Sequence, residues 1–368
     1  MLSVVILAAF FFVATFAQDP NVGVISLSKL NILPEDVMTA GCSHAGDFAH
    51  QFHVAYSELV NRGSCVFSGQ PYHCAVTKFT RDELVTQTDE SSVPRCDGCP
   101  PGKTLIYDHC KNHPQFVDVG ALPDYIRRSC DDHNQQTDCI DDPSNLFDAR
   151  IFAFQPTEDR CYIPPAVANV EALYGQLVRS PGKQIKYVEE FPFAHTLPTN
   201  DTAFWNDTEP AGYDGPGECL RHVFDEDMFA GKFHPRNVHI FDQTEFFVTS
   251  PPDLASNGTG LNTRGTIYIP SDCETERCRM LIIASGCGGP FPTFGGADID
   301  FIKYADGNRI VVVKPCVGGY FDAERFPNAA EVSRGLLDVY GQLSDDYAWQ
   351  SGFHMKVFGR IIKRLVHG

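Results

Sequence analysis

Residues Gly41 to Ala45, with the sequence Gly-Cys-Ser-His-Ala, place a single serine among small neighbours. An extended segment leads into this box, and a helical pattern follows it with an apolar face formed by Phe48, Phe52, Tyr56 and Leu59. A nucleophile elbow has this form, because a sharp strand-to-helix turn exposes the serine hydroxyl and leaves room only for small neighbours. The box therefore predicts Ser43 as the nucleophile of an acyl-transfer reaction, with Ala45 at a position that usually holds glycine.

Two later strands end close to an acid and a histidine. The apolar run Arg150 to Gln155 precedes Asp159, and the strand-like run Ile185 to Phe191 precedes His195. The chain order nucleophile, acid, base is that of the α/β-hydrolases, and sites in open α/β sheets form beyond the carboxyl ends of strands. We therefore predict His195 as the general base and Asp159 as its partner, with Glu158 as the neighbouring alternative acid.

An oxyanion hole needs two backbone N–H groups, and the sequence offers candidates at two distant places. One is the N–H of His44, the residue after the nucleophile. The elbow stands too near the N-terminus for the strands that usually precede it. Instead, a buried strand at Met280 to Ala284 runs into the glycine-rich turn Ser285 to Gly289, which makes the N–H of Cys287 the second candidate. This order of elements predicts a circularly permuted α/β-hydrolase.

The remaining pattern favours one α/β domain over residues 18–368. A cysteine-rich stretch at about residues 88–142 interrupts it and is predicted to be a surface insertion held by disulfides. Further strands are predicted at Thr266–Ile269, at Ile310–Val313, and around His239–Phe241 and Phe246–Val248. A helix over Ser351–Val366 would bury Met355, Phe358, Ile362 and Leu365 on one face.

The N-terminus and the cysteines indicate a secreted, extracellular protein. Residues Leu2 to Ala17 are almost wholly apolar and read as a signal peptide cleaved after Ala17, with a retained membrane anchor as the alternative. The 14 cysteines suit an oxidising compartment. Glycosylation sequons stand at Asn200, Asn206 and Asn257.

The formal charge of −18 argues against binding to nucleic acid or to an anionic membrane surface. No cofactor or metal is predicted. Cys96 and Cys99 have the spacing of half a zinc site, but disulfides are favoured in a secreted chain, and the histidines His44, His50 and His53 are expected to pack or face solvent. A disulfide between Cys42 and Cys287 is a further hypothesis, since it would fix the oxyanion loop to the elbow.

A family resemblance rests on several short motifs. Besides the box and its helix, the matching segments are Phe67–Tyr72, Ser144–Leu146, Phe154–Asp159, Ala194–Thr199, Gly212–Asp214, Phe241–Phe246 and Ser285–Cys287. Together they resemble the extracellular polyhydroxybutyrate (PHB) depolymerases, in particular the single-domain fungal type. The resemblance implies a circularly permuted α/β-hydrolase and a serine esterase with Ser43, Asp159 and His195 as catalytic residues. It also implies the N–H groups of His44 and Cys287 as oxyanion hole.

This chain departs from the family near its C-terminus. The family's tryptophan-rich segment linked to polymer binding has no counterpart, and Asn328 to Gly335 stands around the equivalent place, with Trp349 well beyond it. The sequence thus leaves two function classes open. The first is a secreted esterase for hydroxyalkanoate-type or other short acyl esters, small or oligomeric. The alternative is a catalytically weak or inactive secreted binding protein with the hydrolase fold.

Overall fold

A computed structural model of the protein describes residues 23–72, 74, 110–112, 114–117, 119–120, 122–123, 126, 139–200, 212–247, 258–284, 294, 298–344 and 346–368. The predicted signal peptide, Cys96, Cys99, Asn206, Asn257 and Cys287 lie outside the described residues. Within these ranges, no helix has the length and apolar character that crossing a bilayer requires.

The strands are β1 Val24–Ile25, β2 Ile32–Cys42, β3 Gly63–Phe67, β4 Arg150–Phe154, β5 Ile185–Val188, β6 Val238–Asp242, β7 Thr259–Leu261, β8 Arg264–Tyr268, β9 Cys278–Ile283, β10 Ile310–Lys314 and β11 Val317–Phe321. The helices are α1 His44–Ala55, α2 Ala166–Tyr174, the single turn α3 Pro181–Gln184, α4 Gly215–Phe224, α5 Asp298–Asn308 and α6 Phe353–His367.

Nine strands form one sheet in the order β1-β6-β8-β10-β9-β2-β3-β4-β5, and β7 pairs with β11 in a second, two-stranded sheet. In the large sheet β8 is antiparallel to β6 and β10, and the other neighbours are parallel. The first half of the chain supplies β1 to β5 of this sheet, and the second half supplies β6, β8, β9 and β10. The two halves meet where β2 pairs with β9 and where β1 pairs with β6. This arrangement confirms the circularly permuted α/β-hydrolase predicted from the order of elements.

Helices cover both faces of the large sheet because successive strand residues point to opposite sides. Met280 packs in one core with residues of α1 and α6, whereas the next residue, Leu281, packs in another with residues of α4 and α5. The predicted apolar face of α6 is buried, and full burial of one such side chain contributes about 1.5–3 kcal/mol.

One predicted strand is wrong. Phe246, expected in an extended Phe246–Val248, lies instead in a 3₁₀ turn over Gln243–Phe246, and Val248 lies outside the described residues. The side chain of Asp242 accepts a hydrogen bond from the Thr244 N–H at 2.9 Å, and this cap favours the turn over continuation of β6.

The described pieces of the predicted insertion are held by disulfides and also pack into the core. Cys110 is bonded to Cys74, and Cys139 is also disulfide-bonded. Leu122 and Ile126 are buried in one cluster with residues of α1 and α2. These described pieces are therefore buried in the hydrophobic core, whereas the sequence predicted a surface insertion.

Two histidines of α1 are fully buried and share one partner. The hydroxyl of Tyr174 lies 2.9 Å from Nδ1 of His50 and 2.6 Å from Nδ1 of His53. Neither Nε2 atom has a hydrogen-bond partner in the described part of the chain. Burial lowers the pKa of both histidines to about 3, so both rings are neutral in the folded protein. They are packed residues, which is one of the two roles the sequence predicted.

These histidines predict a loss of stability in mild acid. Their pKa values in the folded state lie below the ordinary 6.5, so the unfolded chain binds more protons as the pH falls from 6.5 towards 3. We expect the free energy of unfolding to decrease by about 1.4 kcal/mol per pH unit for each histidine within that window.

The substitution His53→Asn keeps an acceptor for Tyr174 but removes one titrating group. In urea unfolding between pH 7 and 5, it should remove the part of the pH slope that comes from His53 and leave the part that comes from His50. His367→Asn, at an exposed position of α6, serves as the control for a surface histidine and should keep the wild-type urea midpoint at pH 7. A wild-type slope in His53→Asn would contradict the prediction.

Candidate active site

Ser43 occupies a sharp turn between β2 and α1. Its backbone has φ 63° and ψ −133°, a conformation with positive φ that residues other than glycine rarely adopt. Two bonds hold it: the Ser43 N–H donates to the Phe67 carbonyl at 2.8 Å, and the Asp47 N–H donates to the Ser43 carbonyl at 3.0 Å. The strained turn at a predicted nucleophile is the geometry expected of an elbow.

β2 and α1 approach each other most closely at two glycines. A Cβ atom on Gly41 would lie 2.0 Å from the Ala45 carbonyl oxygen, and one on Gly46 would lie 3.0 Å from the Phe67 carbonyl oxygen. Ala45 itself is only partly buried and packs its methyl group against the core. The alanine in the box is therefore accommodated, since the crowding lies at Gly41 and Gly46.

The three residues predicted from chain order come together. Nε2 of His195 lies 2.8 Å from Oγ of Ser43, and Nδ1 of His195 lies 2.9 Å from Oδ2 and 3.1 Å from Oδ1 of Asp159. Asp159 follows β4 and His195 follows β5, so neighbouring parallel strands deliver both loops to one edge of the sheet. The neighbouring acid, Glu158, is exposed, whereas Asp159 is buried and faces the histidine.

Asp159 is held as an ionised acceptor. Its Oδ1 accepts the N–H groups of Cys161 at 2.7 Å and Tyr162 at 2.9 Å. Burial by itself would raise its pKa, but the hydrogen bonds from His195 and from the Tyr162 N–H outweigh burial and hold the pKa below its usual range. A carboxylate in this state can stabilise a positive charge on the imidazole.

Of the two predicted oxyanion donors, only one is described. His44 is the first residue of α1, where backbone N–H groups point away from the helix. β9 ends beside the elbow strand, with Ile283 paired to Ala40, and Cys287 lies outside the described residues. The roles of the two N–H groups remain a prediction.

Two cysteines close to the site are free thiols. Cys42 is not disulfide-bonded, so the hypothesis of a Cys42–Cys287 bridge is wrong. Burial, together with the negative charges of Asp159 and Asp47, raises the pKa of the Cys42 thiol to about 12. It is therefore protonated and a poor nucleophile, because only the thiolate reacts readily. Cys161 is also free and is exposed.

A possible metal cluster coincides with the same site. Ligand atoms of Asp159, Cys161 and His195 all lie within 4.8 Å of one another. Both ring nitrogens of His195 and both carboxylate oxygens of Asp159 already take part in hydrogen bonds. The arrangement as it stands suits proton transfer between Ser43 and His195.

The segment in place of the family's tryptophan region reaches the elbow through Glu331. Its Oε2 lies 3.0 Å from Nε2 of His44, and the ring of Tyr340 meets that of His44 edge-on at 6.3 Å between centroids. Burial opposes ionisation of Glu331, but the bond to His44 prevails and holds its pKa below the usual range. Trp349 is only 5 % exposed, so its ring is not accessible to a ligand at the surface.

Sequence reasoning missed Asp47, Gln70 and Tyr162, which form a buried network beside the site. Oδ2 of Asp47 accepts the hydroxyl of Tyr162 at 2.6 Å, and Oδ1 accepts the N–H of Gln70 at 2.8 Å. Asp47 is the only one whose sequence position could have drawn notice, because it is a charged residue in the first turn of a helix that is otherwise packed.

The elbow geometry predicts that adding a methyl group at Gly41 costs much more stability than removing one at Ala45. Gly41→Ala should lower the free energy of unfolding by about 3 kcal/mol or more, because its Cβ meets backbone atoms that cannot move independently. The matched change Ala45→Gly should cost about 0.5–1 kcal/mol, the ordinary effect of glycine in a helix. Urea unfolding measures both, and equal losses would show that the crowding at Gly41 is not real.

Comparisons with known proteins bear on this fold and site. No family model matches the chain. The sequence is 22% identical to a polyhydroxybutyrate depolymerase of Talaromyces funiculosus over 364 residues, covering 95% of this chain and 94% of that protein. It is also 22% identical to a poly(3-hydroxybutyrate) depolymerase of Delftia acidovorans over 356 residues, covering 94% of this chain but 62% of that longer protein.

Two solved structures have the same fold. The crystal structure of PHB depolymerase from Penicillium funiculosum matches with a TM-score of 0.66 at 20% identity, and covers 93% of this chain and 99% of that one. A PHB depolymerase variant complexed with an R3HB trimer matches with a TM-score of 0.65 at 19% identity over the same shares. These findings confirm the resemblance inferred from the motifs: the chain has the α/β-hydrolase fold of the PHB depolymerases and is similar to them over nearly its whole length.

Proposed function

We propose that this protein is a secreted serine esterase that cleaves hydroxyalkanoate-type or other short acyl esters. The observation that carries the proposal is the continuous hydrogen-bonded chain from the Ser43 hydroxyl through His195 to Asp159, with the serine on a strained elbow. A serine, a histidine and a buried carboxylate in this order and at these distances support nucleophilic acyl transfer.

The relatives support the choice of substrate class. The similar proteins carry the name depolymerase of polyhydroxybutyrate or poly(3-hydroxybutyrate), and one related structure holds an R3HB trimer. For this chain we propose an ester of the same class, small or oligomeric. Attack on solid polymer is not part of the proposal, because Trp349 is buried and the family's tryptophan segment is absent.

The first step follows from the hydrogen bonds of His195. Asp159 is an acceptor only, so the neutral imidazole carries its proton on Nδ1 and leaves Nε2 to accept the Ser43 proton. As Ser43 Oγ attacks the ester carbonyl, the proton moves to Nε2 and Asp159 stabilises the imidazolium. The carbonyl oxygen becomes negative, and we assign the N–H groups of His44 and Cys287 to it.

The second half of the reaction uses the same groups in reverse. His195 returns the proton from Nε2 to the leaving alcohol, which leaves an acyl group on Ser43. Water then gives a proton to Nε2 and attacks the acyl carbonyl, and the acid is released as Ser43 regains its proton. The protonated thiols of Cys42 and Cys161 take no part in this scheme.

Secretion is proposed from the leader sequence and is supported by the disulfides. The bond Cys65–Cys219 joins β3 to α4, and Cys273–Cys278 joins the turn before β9 to the first residue of β9. Disulfides of this kind persist in oxidising compartments. Asn200 is exposed, as a glycosylated asparagine must be.

The proposal predicts that both fluorophosphonate labelling and ester hydrolysis depend on Ser43. The mature protein should react with a fluorophosphonate and hydrolyse nitrophenyl butyrate. Ser43→Ala should abolish labelling and lower kcat by about 10⁴-fold or more, since the nucleophile and its base act as a unit. Ser180→Ala, an exposed serine before α3, is the matched control and should behave as wild type.

Two results would contradict this function. If the folded wild-type protein is neither labelled nor active on nitrophenyl esters, the alternative of a catalytically silent binding protein replaces the esterase. If Ser43→Ala retains wild-type labelling and turnover, a different residue is the nucleophile.

A further inference from the structure

We infer that Tyr162 and Asp47 form a positioning pair that holds the His195 imidazole in line between Ser43 and Asp159. The inference rests on the proposed function and adds to it two residues that contact neither the serine hydroxyl nor a leaving group. Their effect is exerted through His195, so they are positioning residues.

The first observation is the contact between the two rings. The Tyr162 ring lies parallel to the His195 ring, with 6° between the planes and 5.6 Å between the centroids. The two hydrogen bonds of His195 fix its in-plane direction, but a side chain at a strand-end loop can still tilt about the line that joins Ser43 to Asp159. A parallel ring against one side limits that tilt.

The second observation is that Tyr162 is itself fixed at both ends. Its N–H donates to Oδ1 of Asp159 at 2.9 Å, and its hydroxyl donates to Oδ2 of Asp47 at 2.6 Å. The residue is 2 % exposed. The ring that faces His195 is therefore anchored to the acid of the site through its backbone and to α1 through its side chain.

The third observation is that Asp47 connects the loops around the site. It lies four residues beyond Ser43 in the first turn of α1, and it also accepts the N–H of Gln70 at 2.8 Å and the side-chain amide of Gln70 at 3.2 Å. Gln70 belongs to the loop after β3. One carboxylate thus joins the helix of the nucleophile, the loop after β3 and, through Tyr162, the loop of Asp159.

Burying a carboxylate costs free energy, so a neutral acceptor would bind the Tyr162 hydroxyl at lower cost if the negative charge of Asp47 had no role. Burial raises the pKa of Asp47 to about 6, although its hydrogen bonds and nearby positive charge act in the opposite direction. Among the described residues, the titratable groups that face it include His44, Lys111, Tyr162 and Cys42. Near neutral pH the ionised form gives the Tyr162 hydroxyl a stronger acceptor than an amide would.

The test compares Tyr162→Phe with Tyr187→Phe in the full-length mature chain. Both changes remove a hydroxyl that donates to a carboxylate, since Tyr187 donates to Glu189 at 2.8 Å from β5. Tyr162→Phe keeps the ring but frees it from Asp47. We expect kcat for nitrophenyl butyrate to fall about tenfold with KM unchanged, because small displacements of a catalytic group are costly. Tyr187→Phe should retain wild-type values.

Asp47→Asn provides a second, independent variant. It should lower kcat to a similar extent, and the acid limb of the pH profile of kcat/KM should move to lower pH, because the carboxyl that takes up a proton near pH 6 is gone. In the double variant Tyr162→Phe/Asp47→Asn the two losses should not multiply, since one change removes and the other weakens the same hydrogen bond. Thermal unfolding of each variant separates these effects from loss of the fold.

A spectroscopic measurement reports on the imidazole without turnover. The proton that His195 Nδ1 donates to Asp159 gives a low-field proton NMR signal, and we expect it to broaden or shift in Tyr162→Phe but not in Tyr187→Phe. Wild-type kcat together with a wild-type signal in folded Tyr162→Phe would overturn the inference. If the wild-type protein itself proves inactive, the esterase proposal fails, while the NMR comparison still decides whether Tyr162 positions His195.

Discussion

The crossing of β2 and α1 at Ser43 is the constraint on which the rest of the site depends. The backbone at Ser43 adopts a positive φ, Gly41 approaches the Ala45 carbonyl group too closely for a side chain, and Gly46 leaves little room beside the Phe67 carbonyl group. The turn is expensive for a residue with a Cβ atom, so surrounding contacts must hold it. The bond from the Ser43 N–H to Phe67 and the burial of α1 against the sheet supply that support.

Parallel strand pairing brings the other site residues next to the turn at Ser43. β2, β3, β4 and β5 are parallel neighbours, so the loops that follow them emerge at one edge. Gln70, Asp159 and His195 come from three of those loops. The permuted chain order does not disturb this geometry, because β9 still pairs beside β2 although it follows β2 by more than half of the chain. Position in the sheet, and not position in the sequence, decides which residues meet.

Much of this could be predicted from sequence, and the failures have physical causes. Buried parallel strands are continuous apolar runs, so β4, β9 and β10 were predictable, and Ser43, Asp159 and His195 followed from their places after strands. Phe246 was misassigned because a local cap by Asp242 outweighed its strand propensity. The hydrogen bond between Tyr162 and Asp47 joins residues more than one hundred positions apart, which no local pattern encodes. Whether Cys42 forms a disulfide likewise depends on which cysteines lie near it in the fold.

The electrostatics of the site explain why it holds two buried carboxylates in a chain that is already strongly acidic. Hydrogen bonds from His195 and from the loop keep the pKa of Asp159 low, so it is ionised beside the His195 ring, as the proposed mechanism requires. Asp47 accepts from neutral donors, and burial raises its pKa to about 6. Environments that shift the pKa values of two carboxylates in opposite directions suit the two groups to different roles. Asp159 contributes charge to the imidazole, and Asp47 contributes the anchor that keeps the neighbouring ring in place.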